Sequence, residues 1–529
     1  MDLEKYDVRY SSKVIGPYPE KLYNSDSLNR VNDVIKRMRW KLFWAKEEKK
    51  KSQSKNQDQN VMNTEEEERR NSDYERPSND FFGFKSTKYP KFQLEMKNFE
   101  EEFISKVINT KRRKVSNEVQ DYVKLKRKGL KQTEKIIIKA DKTDNYYSMS
   151  CELYNRKLKE NITAKYRRGN FEIVKQINDE ARELADRLGM SDRIQKLGRQ
   201  ECYITLKDHK ENFPARIDCR LINPSKTEMG RVSKTILQRI VQEVRASTGL
   251  NQWRNTQEAL TWFNGLGDTS NAKFIQADVE AFYPSISKEL LLKALNWARS
   301  HSYISDLSMA IIIHCRRGVL WHEGQVWVKK DDQSFDVSMG SFDGAECCDV
   351  VGLYLLHQAT ETHAVLRKED VGLFRDDLAG VTRGGGPVAE RKKKELIKVF
   401  KSEGLNITAD CNLASIDFLD VTLTIKNQEH KPYMKKNSKL QYLDVRSNHP
   451  PIIKKSIASG VEKRLSTIFS SKKVFNEDIR SYQEALDKAD HKHKLTFQET
   501  PNEEVSDTGG HRIRIRSSVN SSRCTFSTH

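Results

Sequence analysis

Long apolar runs and paired cysteine motifs are both missing from this 529-residue sequence. No apolar run approaches the ~20 residues that a membrane-spanning helix needs, and the first residues (MDLEK) contain no hydrophobic signal segment. The eight cysteines show no C-x-x-C spacing and no disulfide framework, which is typical of reduced thiols. We therefore expect an intracellular protein, nuclear or cytoplasmic and not secreted, with no membrane partner.

Acidic residues are too few to balance the basic ones. The 94 Lys and Arg residues exceed the 75 Asp and Glu residues, which gives a formal net charge of +19. This excess favours a polyanionic partner, most often a nucleic acid. Charge alone is a weak indication, because many soluble proteins share it. No internal repeat is visible, and the length allows about two to four domains.

Apolar residues nearly disappear between residues 46 and 80, where charged runs alternate with Gln, Asn and Ser. From about residue 491 the composition turns to Glu, Ser, Thr and Gly. Such compositions are typical of disordered segments. Between these two segments, residues 202–425 alternate apparent strands and helices with Gly and Pro at the joints, which predicts a mixed α/β domain.

Two adjacent aspartates, Asp376 and Asp377, lie between short apolar runs in residues 372–381 (GLFRDDLAGV). This pattern predicts a β-hairpin with the carboxylates at its turn. Residues 274–284 (FIQADVEAFYP) predict a strand that ends at a third carboxylate, Asp278. Three carboxylates from neighbouring strands are what a two-Mg²⁺ phosphoryl-transfer site needs. For an isolated Asp-Asp pair, a solvated turn is the more frequent explanation.

A basic hairpin is predicted upstream, from residues 202–210 (CYITLKDHK) and 219–226 (CRLINPSK). Arg supplies a planar bidentate donor and Lys a compact charge, so Lys207, Lys210 and Arg220 suit a triphosphate. A solvated hairpin is the more frequent explanation of this stretch if it is considered alone.

Two further motifs are weaker when considered separately. Residues 335–346 (FDVSMGSFDGAE) place a glycine-bearing turn before a helix, and glycine permits close backbone approach to a ligand. Residues 417–425 (DFLDVTLTI) alternate apolar and polar side chains, which predicts one half-buried strand. Asp420 in that strand is interpreted as structural. After the strand that ends at Asp278, the backbone turns at Pro284, so Tyr283 can lie against the sugar of a nucleotide. Phe282 is interpreted as a core residue.

The order of these motifs resembles the palm of a reverse transcriptase. In its sequence motifs the chain is similar to the reverse transcriptase domains of Penelope-like elements and related animal retrotransposons, over roughly residues 130–465. The matching stretches are IKADK (138–142), KDHK (207–210), RLI (220–222), DVEAFYPSI (278–286), SMGS (338–341), FRDD (374–377), FLDVT (418–422), and Tyr442 with NHP (448–450).

The resemblance implies an α/β (α+β palm) fold of the right-hand polymerase type, with fingers, palm and thumb. It implies an RNA-directed DNA polymerase that uses two Mg²⁺ or Mn²⁺ ions, with an RNA template, a DNA primer and dNTPs as partners. Composition and periodicity predict a basic helical segment (1–45), a disordered charged linker (46–80) and a disordered tail (491–529). Between them, together with the resemblance, we predict a helical extension with upstream fingers (81–200), fingers and palm (201–430) and a thumb-like helical region (431–490).

The resemblance also assigns roles to individual residues. Asp278, Asp376 and Asp377 match the catalytic, metal-binding carboxylates. Tyr283 matches the gate against a ribose 2′-OH, and Gly340 matches the turn at the template and nucleotide. The remaining matches are the triphosphate-binding residues Lys207, Lys210 and Arg220, and the primer-grip residues Phe418 and Leu419.

One departure from the family concerns the residue after the two aspartates. Relatives usually have glycine there, and a turn that needs a positive φ at that position would be strained by Leu378. No GIY-YIG endonuclease sequence is visible after residue 490. A decayed retroelement remnant that only binds nucleic acid is therefore the alternative function. An RNase-H-like nuclease or transposase is a further alternative, but it leaves the basic hairpin unexplained.

Overall fold

A computed structural model describes the chain in several ranges. These ranges are residues 3–6, positions 31, 32, 34–36, 38, 39 and 42, then 96–108, 135–143, 145–189, 199–224, 227, 229–330, 335–435, 440–446 and 451–499. The whole predicted linker (46–80) and residues 500–529 of the predicted tail therefore lie outside the described residues, as do the basic clusters at 111–114 and 124–131. No helix within the described ranges is both long and apolar enough to cross a membrane.

The described part of the chain alternates short strands with helices. The strands are β1 (Leu3–Tyr6), β2 (Lys135–Lys139), β3 (Tyr146–Ser150), β4 (Tyr166–Arg168), β5 (Tyr203–Leu206), β6 (Cys219–Ile222), β7 (Asn251–Gln252), β8 (Ala272–Val279), β9 (Leu320–His322), β10 (Gln325–Lys329), β11 (Val371–Phe374), β12 (Asp377–Arg383), β13 (Ile407–Leu413), β14 (Ser415–Phe418), β15 (Val421–Thr424) and β16 (Glu429–Pro432). The helices are α1 (Lys97–Ile108), α2 (Cys151–Lys165), α3 (Phe171–Arg187), α4 (Met229–Thr248), α5 (Thr256–Asn264), α6 (Phe282–Ser285), α7 (Lys288–Ala298), α8 (Asp306–His314), α9 (Gly344–His357), α10 (Gly386–Ser402), α11 (Pro451–Ile468), α12 (Lys472–Asp478) and α13 (Arg480–Lys488).

The central sheet has the strand order β13-β8-β12-β11-β7. Alternation along β8 decides which side chains face the helices, because successive residues of a strand point to opposite faces. Ile275, Ala277 and Val279 pack into the core formed with α4, α7, α9 and α10. The alternate positions include Phe274, which packs in a second core, and Asp278. The sheet therefore has a helix-covered face and a face that carries the carboxylate.

The other sheets of the described residues are smaller, and β14, β15 and β16 form one of them. Strands β1, β3 and β2 form one sheet, β5 pairs with β6, and β4, β10 and β9 form another. Ala140 bridges Leu206, and this contact joins the β2 strand to the β5–β6 hairpin. The β5–β6 hairpin lies where the basic hairpin was predicted.

The helices α11, α12 and α13 form a separate core that contains Leu465, Phe469, Phe475 and Leu486. The segment 491–499 packs on these helices, and the backbone N–H of Thr496 donates to Glu462 at 2.8 Å. The prediction that the disordered tail begins at residue 491 is therefore wrong for residues 491–499. Apolar contacts and hydrogen bonds to side chains order these residues on the thumb-like helices.

The prediction of a mixed α/β fold is confirmed. Helix α3 has the predicted buried stripe, but Phe171 at its start is 53% exposed. Ser287 caps α7 as predicted, since its Oγ accepts from the N–H of Leu290 at 3.0 Å. The seven described cysteines are free thiols.

One sequence prediction about strands is wrong. Residues 417–425 form the end of β14, a turn and β15 rather than one continuous strand. Leu419 lies in the turn with φ of 57°, and β14 then pairs antiparallel with β15. The apolar alternation continues through the turn, so periodicity alone did not reveal the reversal.

Candidate active site

The three carboxylates meet at one end of the central sheet. In the antiparallel pairing of β8 and β12, Asp278 is directly opposite Asp377. The backbone carbonyl of Asp376 accepts a hydrogen bond from the N–H of Val279 at 2.9 Å. The register and this hydrogen bond place all three aspartates beside one another, as the resemblance implied.

A two-residue turn, Arg375 and Asp376, connects β11 to β12. The positive φ of this turn falls on Arg375, at 56°. Leu378 lies inside β12, where its side chain is 1% exposed and packs in the helix-covered core. The expectation of a strained Leu378 is therefore wrong, because the left-handed position of this hairpin precedes the two aspartates instead of following them.

Burial and mutual repulsion perturb two of the carboxylates. Burial first, and then the charge of Asp376, raises the pKa of Asp278. Burial, followed by the charges of Asp376 and Asp278, raises the pKa of Asp377 to about 6. These shifts are expected when like charges share a partly buried site without a counter-ion.

The donor set fits hard divalent cations. Carboxylate oxygens are the ligands that Mg²⁺ prefers. Among the described residues, no hydrogen-bond donor or ion-pair partner contacts the side chains of Asp278, Asp376 or Asp377. Within the same ranges, no three His, Cys, Asp or Glu side chains already converge as a metal-binding group. The strands thus bring the three aspartates to one end of the sheet, while their carboxylate groups stay short of the close convergence of a metal-binding group in the described residues.

The predicted triphosphate residues lie on the hairpin β5–β6. Arg220 is opposite Thr205, and Lys207 follows the end of β5. Burial, then the nearby charges of Arg220 and Lys210, lowers the pKa of Lys207. The charges of Lys142 and Lys210 in turn act on Asp278. The structure therefore places Lys210, of the three predicted residues, within electrostatic range of Asp278.

Arg220 is oriented by Asp141. The guanidinium Nη1 donates to the two carboxylate oxygens of Asp141 at 2.8 and 3.0 Å. Because both bonds use Nη1, this contact leaves the Nε and Nη2 donors to other acceptors. An anion can therefore be bound by Arg220 while Asp141 holds the guanidinium in place.

A buried carboxylate anchors the loop that bears Lys207 and Lys210. Asp208 is 0% exposed, and its Oδ2 accepts from Thr143, Asn145 and Tyr147 at 2.6, 2.7 and 2.9 Å. These bonds tie the basic loop to the β2–β3 hairpin. In the same loop, Lys207 is half-buried and Lys210 is exposed.

Two lysines near the carboxylates received no role from the sequence. Lys142 follows β2, and Lys435 follows β16, so the chain reaches this site from two distant segments. Burial, and then the adjacent ammonium of Lys142, lowers the pKa of Lys435, whereas Asp377 and Asp376 act in the opposite direction. The motif around Lys142 was a usable signal, but nothing near Lys435 marks it in the sequence.

Tyr283 and Gly340 contact different parts of the segment that leads into α9. A Cβ built on Gly344, at the start of α9, would lie 3.5 Å from Cε1 of Tyr283. Gly340 has φ of 111°, and a Cβ there would lie 2.8 Å from the carbonyl oxygen of Asn223. Only glycine fits that position without displacing the β6 strand end. The turn before α9 therefore abuts both the tyrosine and the basic hairpin.

The two residues expected to grip the primer differ in their surroundings. Phe418 is 1% exposed and packs edge-on against Trp253, with ring centroids 5.3 Å apart. Leu419 is half-buried in the β14–β15 turn. The Phe418 side chain is thus a core residue, and the turn at Leu419 is the part of this motif that reaches the surface. Asp420 pairs with Arg464 of α11, consistent with a structural role.

Comparison with known proteins adds information on the fold. Neither a protein-family model nor a curated protein matches this chain. Solved polymerase structures are similar in backbone. Telomerase from Candida albicans, in complex with a TWJ fragment of telomeric RNA, is 11% identical with a TM-score of 0.49; the match covers 76% of this chain and 68% of that one.

Two other solved structures show a weaker likeness. Apo telomerase from Candida tropicalis is 10% identical with a TM-score of 0.44, over 75% of this chain and 71% of that one. The BmCPV RNA-dependent RNA polymerase at its elongation state is 12% identical with a TM-score of 0.37, over 60% of this chain and 28% of that one. At these identities the likeness concerns the fold alone.

Proposed function

We propose that this protein is an RNA-directed DNA polymerase, the reverse transcriptase of a retrotransposon resembling Penelope-like elements. The observation that carries the proposal is the cluster of Asp278, Asp376 and Asp377 at the end of β8 and β12, facing a basic hairpin. Acidic residues that bind cations, opposite basic residues that bind phosphates, are the two requirements of nucleotidyl transfer.

Asp278 and Asp376 would hold two Mg²⁺ or Mn²⁺ ions. The negative charge of Asp377 would help to set the electrostatic field around them. When bound, such ions lower the pKa of a primer 3′-OH and neutralise charge on the pyrophosphate leaving group. The chain itself neutralises the triphosphate with Lys207, Lys210 and Arg220, and Asp141 orients the guanidinium. Charge-assisted bonds of this kind are the stronger class of protein hydrogen bonds.

Tyr283 supplies the preference for deoxyribonucleotides in this proposal. Its ring is partly buried beside the start of α9 and within reach of the Asp376 charge, and in this proposal it fills the space that a ribose 2′-OH would need. The choice of RNA as template, DNA as primer and dNTPs as substrates follows from the resemblance to reverse transcriptases. The net charge of +19 is compatible with both nucleic-acid strands.

Primer extension on an RNA template with dNTPs and Mg²⁺ tests the proposal. We expect the parent to extend the primer, and the double variant Asp376→Asn/Asp377→Asn to lose about 100-fold or more of the rate. The matched control is Asp410→Asn, which changes an exposed carboxylate on the neighbouring strand β13. We expect this control variant to keep the activity of the parent.

The same assay distinguishes the alternative function. A parent that binds RNA tightly and in a salt-dependent manner, yet never extends a primer, would be the binding remnant instead. Extension with a DNA template only, or with ribonucleotides only, would contradict the assignment of template or substrate. The unstrained Leu378 removes one of the reasons for expecting decay.

A further inference from the structure

Tyr283 is carried by a very short helix. Helix α6 comprises only Phe282–Ser285 and begins after Ala281, which has φ of 49°. Phe282 is 2% exposed and anchors one side of this helix in the core. One turn of helix has little stability of its own, because each additional hydrogen bond must offset the cost of nucleation. Contacts from other elements therefore decide where the Tyr283 ring stands.

Lys329 at the end of β10 makes such a contact. Its Nζ donates a hydrogen bond to the carbonyl oxygen of Pro284 at 2.6 Å. Pro284 directly follows Tyr283, and the Lys329 side chain is only 14% exposed. Strand β10 belongs to the sheet β4-β10-β9, not to the central sheet. The ammonium group therefore ties the tyrosine-bearing helix to the fingers.

Asp336 holds the same ammonium from the other side. Its Oδ1 lies 3.8 Å from Lys329 Nζ, and its Oδ2 accepts from the hydroxyl of Tyr166 at 2.9 Å. Asp336 is buried, and it precedes Gly340 by four residues on the turn that leads to α9. Burial raises the pKa of this carboxyl group, with the charge of Lys329 acting against the shift. One buried cluster thus joins the Gly340 turn, the fingers and the Tyr283 helix.

We propose that Lys329 is a positioning residue for sugar selection: by bonding to the carbonyl of Pro284 while facing Asp336, it sets the place of the Tyr283 ring. This inference rests on the proposed polymerase function, in which Tyr283 excludes the ribose 2′-OH. Lys329 itself touches neither substrate nor metal in this scheme. Its removal loosens α6 and relaxes sugar selection without removing any group that performs the chemistry.

Hydrogen–deuterium exchange tests the positioning step without any need for activity. Lys329→Met removes the hydrogen bond to the carbonyl oxygen of Pro284 and so loosens α6. We therefore expect the backbone amides of a peptide covering residues 282–286 to exchange at least about tenfold faster. A peptide from α5 serves as internal reference and keeps its rate. The matched control is Lys330→Met, which removes the adjacent exposed lysine and the same charge. Unchanged exchange at residues 282–286 in Lys329→Met would overturn the proposal.

Competing incorporation of dNTPs and rNTPs tests the functional step. We expect the preference for dNTPs to fall about tenfold in Lys329→Met, which corresponds to one lost charge-assisted bond. Lys329→Arg keeps a cationic donor and should restore the preference, whereas Lys330→Met should leave it unchanged. Faster exchange at α6 with an unaltered preference would overturn the role in sugar selection.

Two controls keep this test independent of folding and of the proposed function. If Lys329→Met does not fold, Lys329→Gln replaces it, because a shorter neutral donor should also release α6 and speed exchange. If the parent never extends a primer, the polymerase proposal fails, while the exchange result still decides whether Lys329 positions α6.

Discussion

Asp278 and Asp377 are directly opposite each other in the pairing of β8 with β12. Neighbouring strands lie about 4.8 Å apart, so two carboxylates on one face of such a pair cannot move far from each other. Asp376, in the adjoining turn, adds a third negative charge to the same place. The backbone therefore imposes a repulsion that Lys142, Lys210 and Lys435 offset only in part, and a divalent cation is a suitable further counter-ion.

The stability of the metal-free protein should depend on pH through Asp377. Its pKa rises from 3.8 to about 6, chiefly through burial, so the folded state binds this proton more tightly than the unfolded state. The stabilisation is complete below the unfolded pKa and is lost as the pH rises through about 6. We expect the free energy of unfolding to fall by about 3 kcal/mol across this window.

Urea unfolding in the presence of EDTA, at a series of pH values, checks this expectation. Asp377→Asn cannot titrate and should flatten the profile, and Mg²⁺ at neutral pH should raise the stability of the parent but much less that of the variant. Parallel pH profiles for the parent and Asp377→Asn would show that this carboxyl group does not carry the dependence.

Replacing Tyr283 by a smaller residue should admit ribonucleotides. In Tyr283→Val the ring that competes with a 2′-OH is absent, so we expect the ratio of rNTP to dNTP incorporation to rise about tenfold or more. Tyr283→Phe keeps the ring and serves as the control, with a ratio close to that of the parent. An unaltered ratio in Tyr283→Val would place sugar selection elsewhere in the site.

Gly340→Ala should disturb the turn before α9. At φ of 111° an L-residue is strained, and the new Cβ would be 2.8 Å from the carbonyl oxygen of Asn223. We expect a loss of about 1–3 kcal/mol in the free energy of unfolding, together with slower primer extension. Gly318→Ala is the control, because a Cβ there meets no atom within 4 Å. Equal behaviour of the two variants would rule out the close approach at Gly340.

Phe418 and Leu419 should separate stability from primer contact. Phe418→Ala empties a core position beside Trp253 and should cost about 3–5 kcal/mol in urea unfolding. Leu419→Ala changes a half-buried turn residue and should cost about 1 kcal/mol. We expect Leu419→Ala to weaken primer binding, measured by fluorescence anisotropy, by a larger free energy than it removes from the stability of the fold. A Phe418→Ala variant of normal stability that binds primer weakly would contradict the core assignment.

Local patterns in the sequence were sufficient for the elements that bear the site. The apolar runs around Asp376 and Asp377 predicted the hairpin, and the strand ending at Asp278 formed as expected. These elements are specified locally, since a period-two apolar pattern and a short turn define a hairpin wherever it lies. The same local reasoning misplaced the positive φ at Leu378. The apolar pattern does not encode the register of the turn, and that register gives the positive φ to Arg375.

Contacts between distant segments were decided only by tertiary structure. Lys435 approaches Lys142 beside the aspartates, and Lys329 reaches the carbonyl of Pro284. Phe418 is buried because Trp253, far away in the chain, packs on it. Lysine and phenylalanine have no local signature for such roles, since their surroundings depend on which elements pack together. The sequence by itself thus determined the carboxylates and the strands that carry them, whereas packing decided which cations and supports surround them.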